Sequence, residues 1–177
     1  MSGADYFGDE YAINAYMDSA MSVDVDRAKA EHQAIKQAFE SAGIKVIQVE
    51  PPLHCQDGVY TANWGLCRGG KVVMSSLPNT RQNESPYAEK VLANLGMEII
   101  HLPSALSSNG EPLRFSGQGD ALPCGNLLFT GSQYRTDPTA HKFLTEYLGY
   151  KVIGLQTIPK TDENNRPVIN QVTGWPD

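Results

Sequence analysis

The chain has 177 residues, 41% of them hydrophobic and 19% charged, with a formal net charge of −6 and a pI near 5.2. An acidic balance argues against nucleic acid as a partner and gives no basic face for a membrane. No apolar run approaches the ~20 residues of a membrane span, the first residues form no secretory signal, and three unpatterned cysteines read as reduced thiols of a cytoplasmic protein.

The first predicted helix runs from about Val25 to Ala42. Ala28, Ile35, Ala38, Phe39 and Ala42 recur on one face, and Lys29, Lys36 and Glu40 on the other. A β-rich run follows over Ile44–Val49. Two further strands are expected over Val59–Asn63 and Lys71–Ser76, joined through Cys67-Arg-Gly-Gly70. The second helix is expected to open at Ser85-Pro86, with Tyr87, Val91, Leu92 and Leu95 as its apolar stripe, and a strand follows over Met97–Leu102. Leu113–Ser116 and Asn126–Thr130 read as strands separated by a Gly-rich stretch. The third helix opens at Asp137-Pro138, carries Ala140, Phe143, Leu144, Tyr147 and Leu148 inward, and leads into a strand over Lys151–Ile158. Lys160–Pro167 is polar and reads as a turn, and a last half-unit begins at Asn164–Val172.

These elements repeat. Ser41-Ala-Gly43-Ile-Lys-Val-Ile, Asn94-Leu-Gly96-Met-Glu-Ile-Ile and Tyr147-Leu-Gly149-Tyr-Lys-Val-Ile share one pattern, and their glycines recur at an interval of 53 (96 − 43 and 149 − 96). Each copy is a helix end, a glycine that can take the left-handed conformation, and an apolar strand. The unit is therefore an α/β module, strand–strand–helix–strand, and about three such modules fill a single domain over 1–177. In a pseudo-symmetric arrangement equivalent strand ends converge on the axis. A shift of 53 carries Asn63 onto Ser116, within Asp57-Gly-Val-Tyr-Thr-Ala-Asn63-Trp64 and Phe115-Ser-Gly-Gln-Gly-Asp120. Both stretches combine glycine with polar side chains flanked by apolar ones, as a binding site requires.

Asp57-Gly-Val-Tyr-Thr-Ala-Asn63, Phe115-Ser-Gly-Gln-Gly-Asp-Ala-Leu122 and Gly131-Ser-Gln-Tyr-Arg-Thr136 resemble motifs of the guanidino-group-modifying enzymes. That superfamily includes dimethylarginine dimethylaminohydrolases, arginine deiminases and amidinotransferases. The resemblance implies a five-fold α/β propeller of ββαβ modules. It also implies hydrolysis or transfer at an arginine-like guanidinium through a covalent cysteine intermediate, with a histidine as acid/base and neither metal nor organic cofactor. Carboxylates would hold the guanidinium and arginines the substrate carboxylate, since a buried delocalised cation needs anionic partners. Asp57, Asn63, Ser116, Asp120 and Arg135 are the substrate-binding candidates, with pinning of its loop an equal alternative for Arg135.

Ser116 stands where the family usually has Glu or Asp, and Asn63 where several members have Asp. The family's cysteine nucleophile lies late in a five-module chain, whereas this sequence has no cysteine after Cys124 and no histidine after His141. The expectation is an incomplete ring without turnover of its own. A non-catalytic homologue that binds an arginine-like ligand, or serves as a scaffold, is the alternative. A module face left uncovered near Lys151–Val172 would favour a homodimer. Cys55, Cys67 and Cys124 read as ordinary thiols, His32 and His141 as polar helix residues, and Arg81 as a solvated loop arginine. Trp64 suits a pocket wall or a core equally.

Overall fold

A computed structural model describes residues 1–12, 22–103, 113–169 and 171. The chain divides into two compact units, Met1–Thr61 and Ala62–Asp177.

In the first unit, helix α1 spans Val25–Ser41. The Asp24 carboxylate caps it by accepting from the Arg27 amide at 2.9 Å, which satisfies one of the unpaired first-turn donors. No residue of α1 is buried, and Ile35 and Phe39 stay exposed despite their helical spacing. The run Ile44–Val49 is not a strand. Only Val49 pairs, in a single parallel bridge with Ser2, while the N-terminal ammonium donates to the Ile47 carbonyl at 2.7 Å. A β-prone run becomes a strand only where a second backbone takes its hydrogen bonds. Val59–Asn63 is likewise not a strand, but a turn leading into a 3-10 helix over Thr61–Trp64.

The second unit holds two successive ββαβ modules. The first comprises β1 (Gly65–Arg68), β2 (Lys71–Met74), α2 (Glu84–Asn94) and β3 (Glu98–Ile100). The second comprises β4 (Ala121–Cys124), β5 (Leu127–Ser132), α3 (Pro138–Leu148) and β6 (Lys151–Gln156). In each, an antiparallel hairpin is joined through the helix to a parallel third strand, giving the sheet orders β1-β2-β3 and β4-β5-β6. Leu66, Val73, Phe115, Ala121, Leu128, Leu144, Leu148 and Tyr150 form the core of this unit. Arg68 ties its modules together. It donates to the Leu148 carbonyl at 3.1 Å and to Asn126 Oδ1 at 2.7 Å, and its guanidinium lies 4.0 Å over the Tyr150 ring.

Several boundaries differ from the sequence reading. The stretch 117–125 contains strand β4, and Leu113–Ser116 pairs only at Phe115, in a bridge to Ser76. Helix α2 begins at Glu84, so Pro86 lies within its first turn, where an N–H has no intrahelical partner to lose. Its stripe is partly open: Ala88 is buried, Tyr87, Val91 and Leu92 are half-buried, and Leu95 is exposed. Helix α3 matches its expected start and its inward Ala140, Phe143, Leu144 and Leu148. Gly43, Gly96 and Gly149 all take φ between 67° and 83°. The interval of 53 also relates β3 to β6, but the hairpins are 56 apart (121 − 65 and 127 − 71). The first module has a longer connection between its second and third strands, which includes a 3-10 turn over Asn79–Arg81. By hairpin register Asn63 is therefore equivalent to Gly119 and not to Ser116. The polar half-unit expected at Asn164–Val172 lies partly outside the described residues; within them, Thr161 bridges Pro167 around a turn.

Candidate functional site

Asn63, Ser116, Asp120 and Arg135 meet in the second unit. Asp57 belongs to the first unit, where it is buried in a run of turns. Asn63 and Ser116 are joined directly, because Asn63 Nδ2 donates to the Ser116 carbonyl at 3.1 Å. Gly119 lies so close to the Asn63 amide that a Cβ there would overlap it.

Behind Asn63 stands an ion pair that the sequence does not announce. Arg81 and Glu84 are 4% and 1% exposed. Arg81 Nε donates to Glu84 Oε1 at 2.6 Å and Nη2 to Oε2 at 2.7 Å, a bidentate arrangement. Arg81 Nη1 donates to Asn63 Oδ1 at 3.0 Å, and the Trp64 indole donates to Glu84 Oε2 at 3.2 Å. Arg81 is thus a buried connector and not a solvated loop residue. Trp64 is buried and edge-on to Tyr87. The network also accounts for an amide at position 63. Arg81 takes its oxygen, the Ser116 carbonyl takes its nitrogen, and a carboxylate would set an acceptor against an acceptor. Glu84 already supplies the counter-charge for Arg81. The signal in the sequence was the i,i+3 spacing of Arg81 and Glu84 across a helix start, a pattern that solvated pairs share.

The 3-10 turn Gly117–Gly119 delivers Asp120 to the end of the β4–β5 hairpin. Asp120 Oδ2 accepts from Thr136 Oγ1 at 2.5 Å, and its carboxylate lies against Gly131, where a Cβ would overlap it and force it to shift. Asp120 is half-buried, and a carboxylate accepts at both oxygens, so it retains acceptor capacity. Ser116 is buried, and its hydroxyl donates to the Arg135 carbonyl at 3.3 Å. Arg135 as a residue is exposed. Partial desolvation lowers its pKa from the ordinary value, the Asp120 carboxylate opposes that, and the Arg81 cation adds to the lowering. A guanidinium stays charged through such changes near neutral pH. The unit therefore holds a carboxylate and a guanidinium within electrostatic reach of each other, beside a buried Asn–Arg–Glu–Trp network.

The family model for eukaryotic N,N-dimethylarginine dimethylhydrolases matches residues 6–171. The chain belongs to this family. Among curated relatives, the bifunctional arginine dihydrolase/ornithine cyclodeaminase AgrE of Nostoc sp. PCC 7120 is 32% identical over 162 residues, 89% of this chain and 22% of that protein. The N(G),N(G)-dimethylarginine dimethylaminohydrolase of Mycobacterium tuberculosis is 30% identical over 158 residues, 89% of this chain and 50% of that one. Among solved structures, the product-bound N-terminal domain of the cyanobacterial arginine dihydrolase ArgZ superposes with a TM-score of 0.79 at 29% identity, covering 89% of this chain and 56% of that one. The chain thus spans half or less of the length of these two curated relatives.

The resemblance implies a cysteine nucleophile, so the settings of this chain's thiols matter. Cys55 is buried in the first unit and directs its sulfur at the Leu53 carbonyl, 3.5 Å away. Cys67 is half-buried in β1, and burial pushes its thiol pKa up, opposite to what a nucleophile needs. Cys124 is exposed at the end of β4. Among the described residues no three His, Cys, Asp or Glu side chains gather to hold a metal, and no helix is long and apolar enough to cross a membrane. Iodoacetamide at about pH 7.5 is expected to alkylate Cys124 well before Cys67, since only the thiolate reacts. A mass-spectrometric time course reads the order, and Cys67 reacting first contradicts it.

Proposed function

We propose that this chain forms the ligand-holding part of an enzyme that hydrolyses an arginine-like guanidino group through a covalent cysteine intermediate. In this reading the two ββαβ modules belong to a five-module α/β propeller, and Asp57 joins the binding residues. The observation that carries it is that Asp120 and Arg135 lie within electrostatic reach of each other. An arginine-like molecule has a cationic guanidinium and an anionic carboxylate, and these side chains offer one complementary partner to each. Asn63 and Ser116 act beneath them, orienting the pair through the Arg81–Glu84 network and the Arg135 carbonyl. Hydrolysis is favoured over amidino transfer because the similar proteins named above are hydrolases. No metal or organic cofactor enters this chemistry.

The settings of Cys55, Cys67 and Cys124 favour a second reading for these 177 residues by themselves: binding without turnover. The nucleophile and its histidine would then come from further modules; a homodimer paired through an uncovered module face would cover that face and supply neither.

Titration calorimetry with arginine, agmatine and dimethylarginine tests the binding claim. Asp120→Asn keeps an acceptor for Thr136 but removes the charge, and it is expected to weaken all three ligands by about 1.5–3 kcal/mol, the worth of a charge-assisted hydrogen bond. Unchanged affinities would remove Asp120 as the guanidinium anchor. Citrulline or ornithine release that is lost on substituting one of the three cysteines by serine would overturn binding without turnover.

A further inference from the structure

The segment from Gly131 to Thr136, which ends β5 and leads into α3, is held along its length. The Gly131 carbonyl lies 3.0 Å from His141 Nε2, and the Ser132 carbonyl accepts from Thr157 Oγ1 at 2.8 Å. The Gln133 carbonyl accepts from Arg114 Nη2 at 2.5 Å, and the Gln133 amide donates to the Thr136 carbonyl at 2.9 Å. Such fastening has a cause. Gln133 takes φ +92°, a region that a residue with a Cβ occupies only when surrounding contacts over-determine it.

Arg114 makes the charge-assisted contact at the carbonyl of that strained residue. It is itself fixed by Asp137, which accepts at Oδ1 from Arg114 Nη2 at 2.8 Å and at Oδ2 from the Arg114 amide at 2.7 Å. Asp137 is the N-cap residue of α3, yet its side chain makes no capping bond and grips Arg114 instead. A helix has forgone its usual cap, so the grip on Arg114 is the interaction that this geometry favours. Two residues beyond Gln133 stands Arg135.

We propose that Arg114, clamped by Asp137, is a positioning residue for Arg135: it stabilises the strained turn that sets where the Arg135 guanidinium stands. This rests on reading Arg135 as the partner of the ligand's carboxylate. The effect then falls mainly on the carboxylate end of the ligand. Agmatine has the guanidinium of arginine but no carboxylate, so it senses the turn only through the Thr136 contact to Asp120.

The test is calorimetry of the full chain with arginine and with agmatine, for the parent, Arg114→Ala, Arg114→Lys, Arg135→Ala and the double variant Arg114→Ala/Arg135→Ala. If the turn is competent ~10% of the time without its clamp, Arg114→Ala weakens arginine about tenfold. Agmatine is expected to stay within about twofold, and Arg114→Ala to add nothing once Arg135 is gone, as for residues acting as one unit. Arg114→Lys keeps the charge beside Asp137 but lacks the fork that also reaches Gln133, so it is expected to fall between. If Arg114→Ala does not fold, as read by circular dichroism, Arg114→Lys and Asp137→Asn carry the same comparison. Equal weakening of arginine and agmatine would mean a general structural role and overturn the proposal, as would an unchanged arginine affinity. A parent that binds arginine while Arg135→Ala binds it equally well removes the carboxylate reading of Arg135, and the proposal with it. A parent that binds neither ligand removes the guanidino reading itself.

Discussion

Glu84→Ala is expected to cost about 3–5 kcal/mol of folding stability, because it removes the buried carboxylate that pairs bidentately with the Arg81 guanidinium. That is a large fraction of the ~5–15 kcal/mol typical of a domain, so the variant is expected to be largely unfolded at physiological temperature if the parent is of ordinary stability. Urea denaturation reads the loss as a lower midpoint with an unchanged slope. Glu84→Gln keeps the shape and one acceptor for Trp64 and is expected to cost less. The paired substitution Arg81→Met/Glu84→Leu removes both charges and is expected to recover much of the stability, since apolar replacements often match a buried ion pair. It does not recover the orientation of Asn63, whose oxygen then has no donor in Arg81. Stability and ligand binding should therefore separate in the paired variant. A Glu84→Ala loss below about 1 kcal/mol, the range of exposed pairs, would mean that water reaches Arg81 in solution.

Gly117→Ala is the second large effect. Gly117 has φ +59°, and a Cβ there would stand 2.6 Å from Ser75 Oγ and 2.9 Å from both the Ala62 carbonyl oxygen and the Gly65 amide nitrogen. The backbone conformation alone costs an L-residue about 1–2 kcal/mol. The contacts add about 1–3 kcal/mol, the range for overpacking, because two of the three atoms are backbone, in the 3-10 helix Thr61–Trp64 and at the first residue of β1, and cannot rotate away. Gly70→Ala is the internal control: its φ is +81°, but a Cβ there meets nothing within 4 Å. It is expected to show the backbone part only. Thermal or urea unfolding of both variants measures the difference, and equal losses would show that the close approach at Gly117 relaxes at no cost.

The helix–glycine–strand unit was legible in the residues because its determinants are local. Apolar spacing, Asp137-Pro138 at one end of α3 and Gly149 at the other act within a few residues, and α3 and β6 follow them closely. The three motif stretches were legible as well, and the four candidates of the second unit converge there. Strand pairing was not legible to the same degree. Ile44–Val49 and Val59–Asn63 have β-prone side chains but no extended partner. Strand β4, which carries Pro123 and exposed residues, is a strand because β5 pairs with it.

The equivalence of Asn63 and Ser116 failed for a related reason. A repeat interval read from helix ends does not carry over to hairpins when a connection between them has lengthened. That lengthened connection holds Arg81, and Arg81 shows where sequence reasoning stops. Arg-Gln-Asn-Glu is by composition a solvated helix start, and the sequence by itself determined only that the two charges lie three residues apart. Their burial, their grip on Asn63 and Trp64, and the turn that presents Arg135 were decided by packing between elements far apart in the chain. Desolvation of a charge is a property of what surrounds it in space, and no local pattern encodes it.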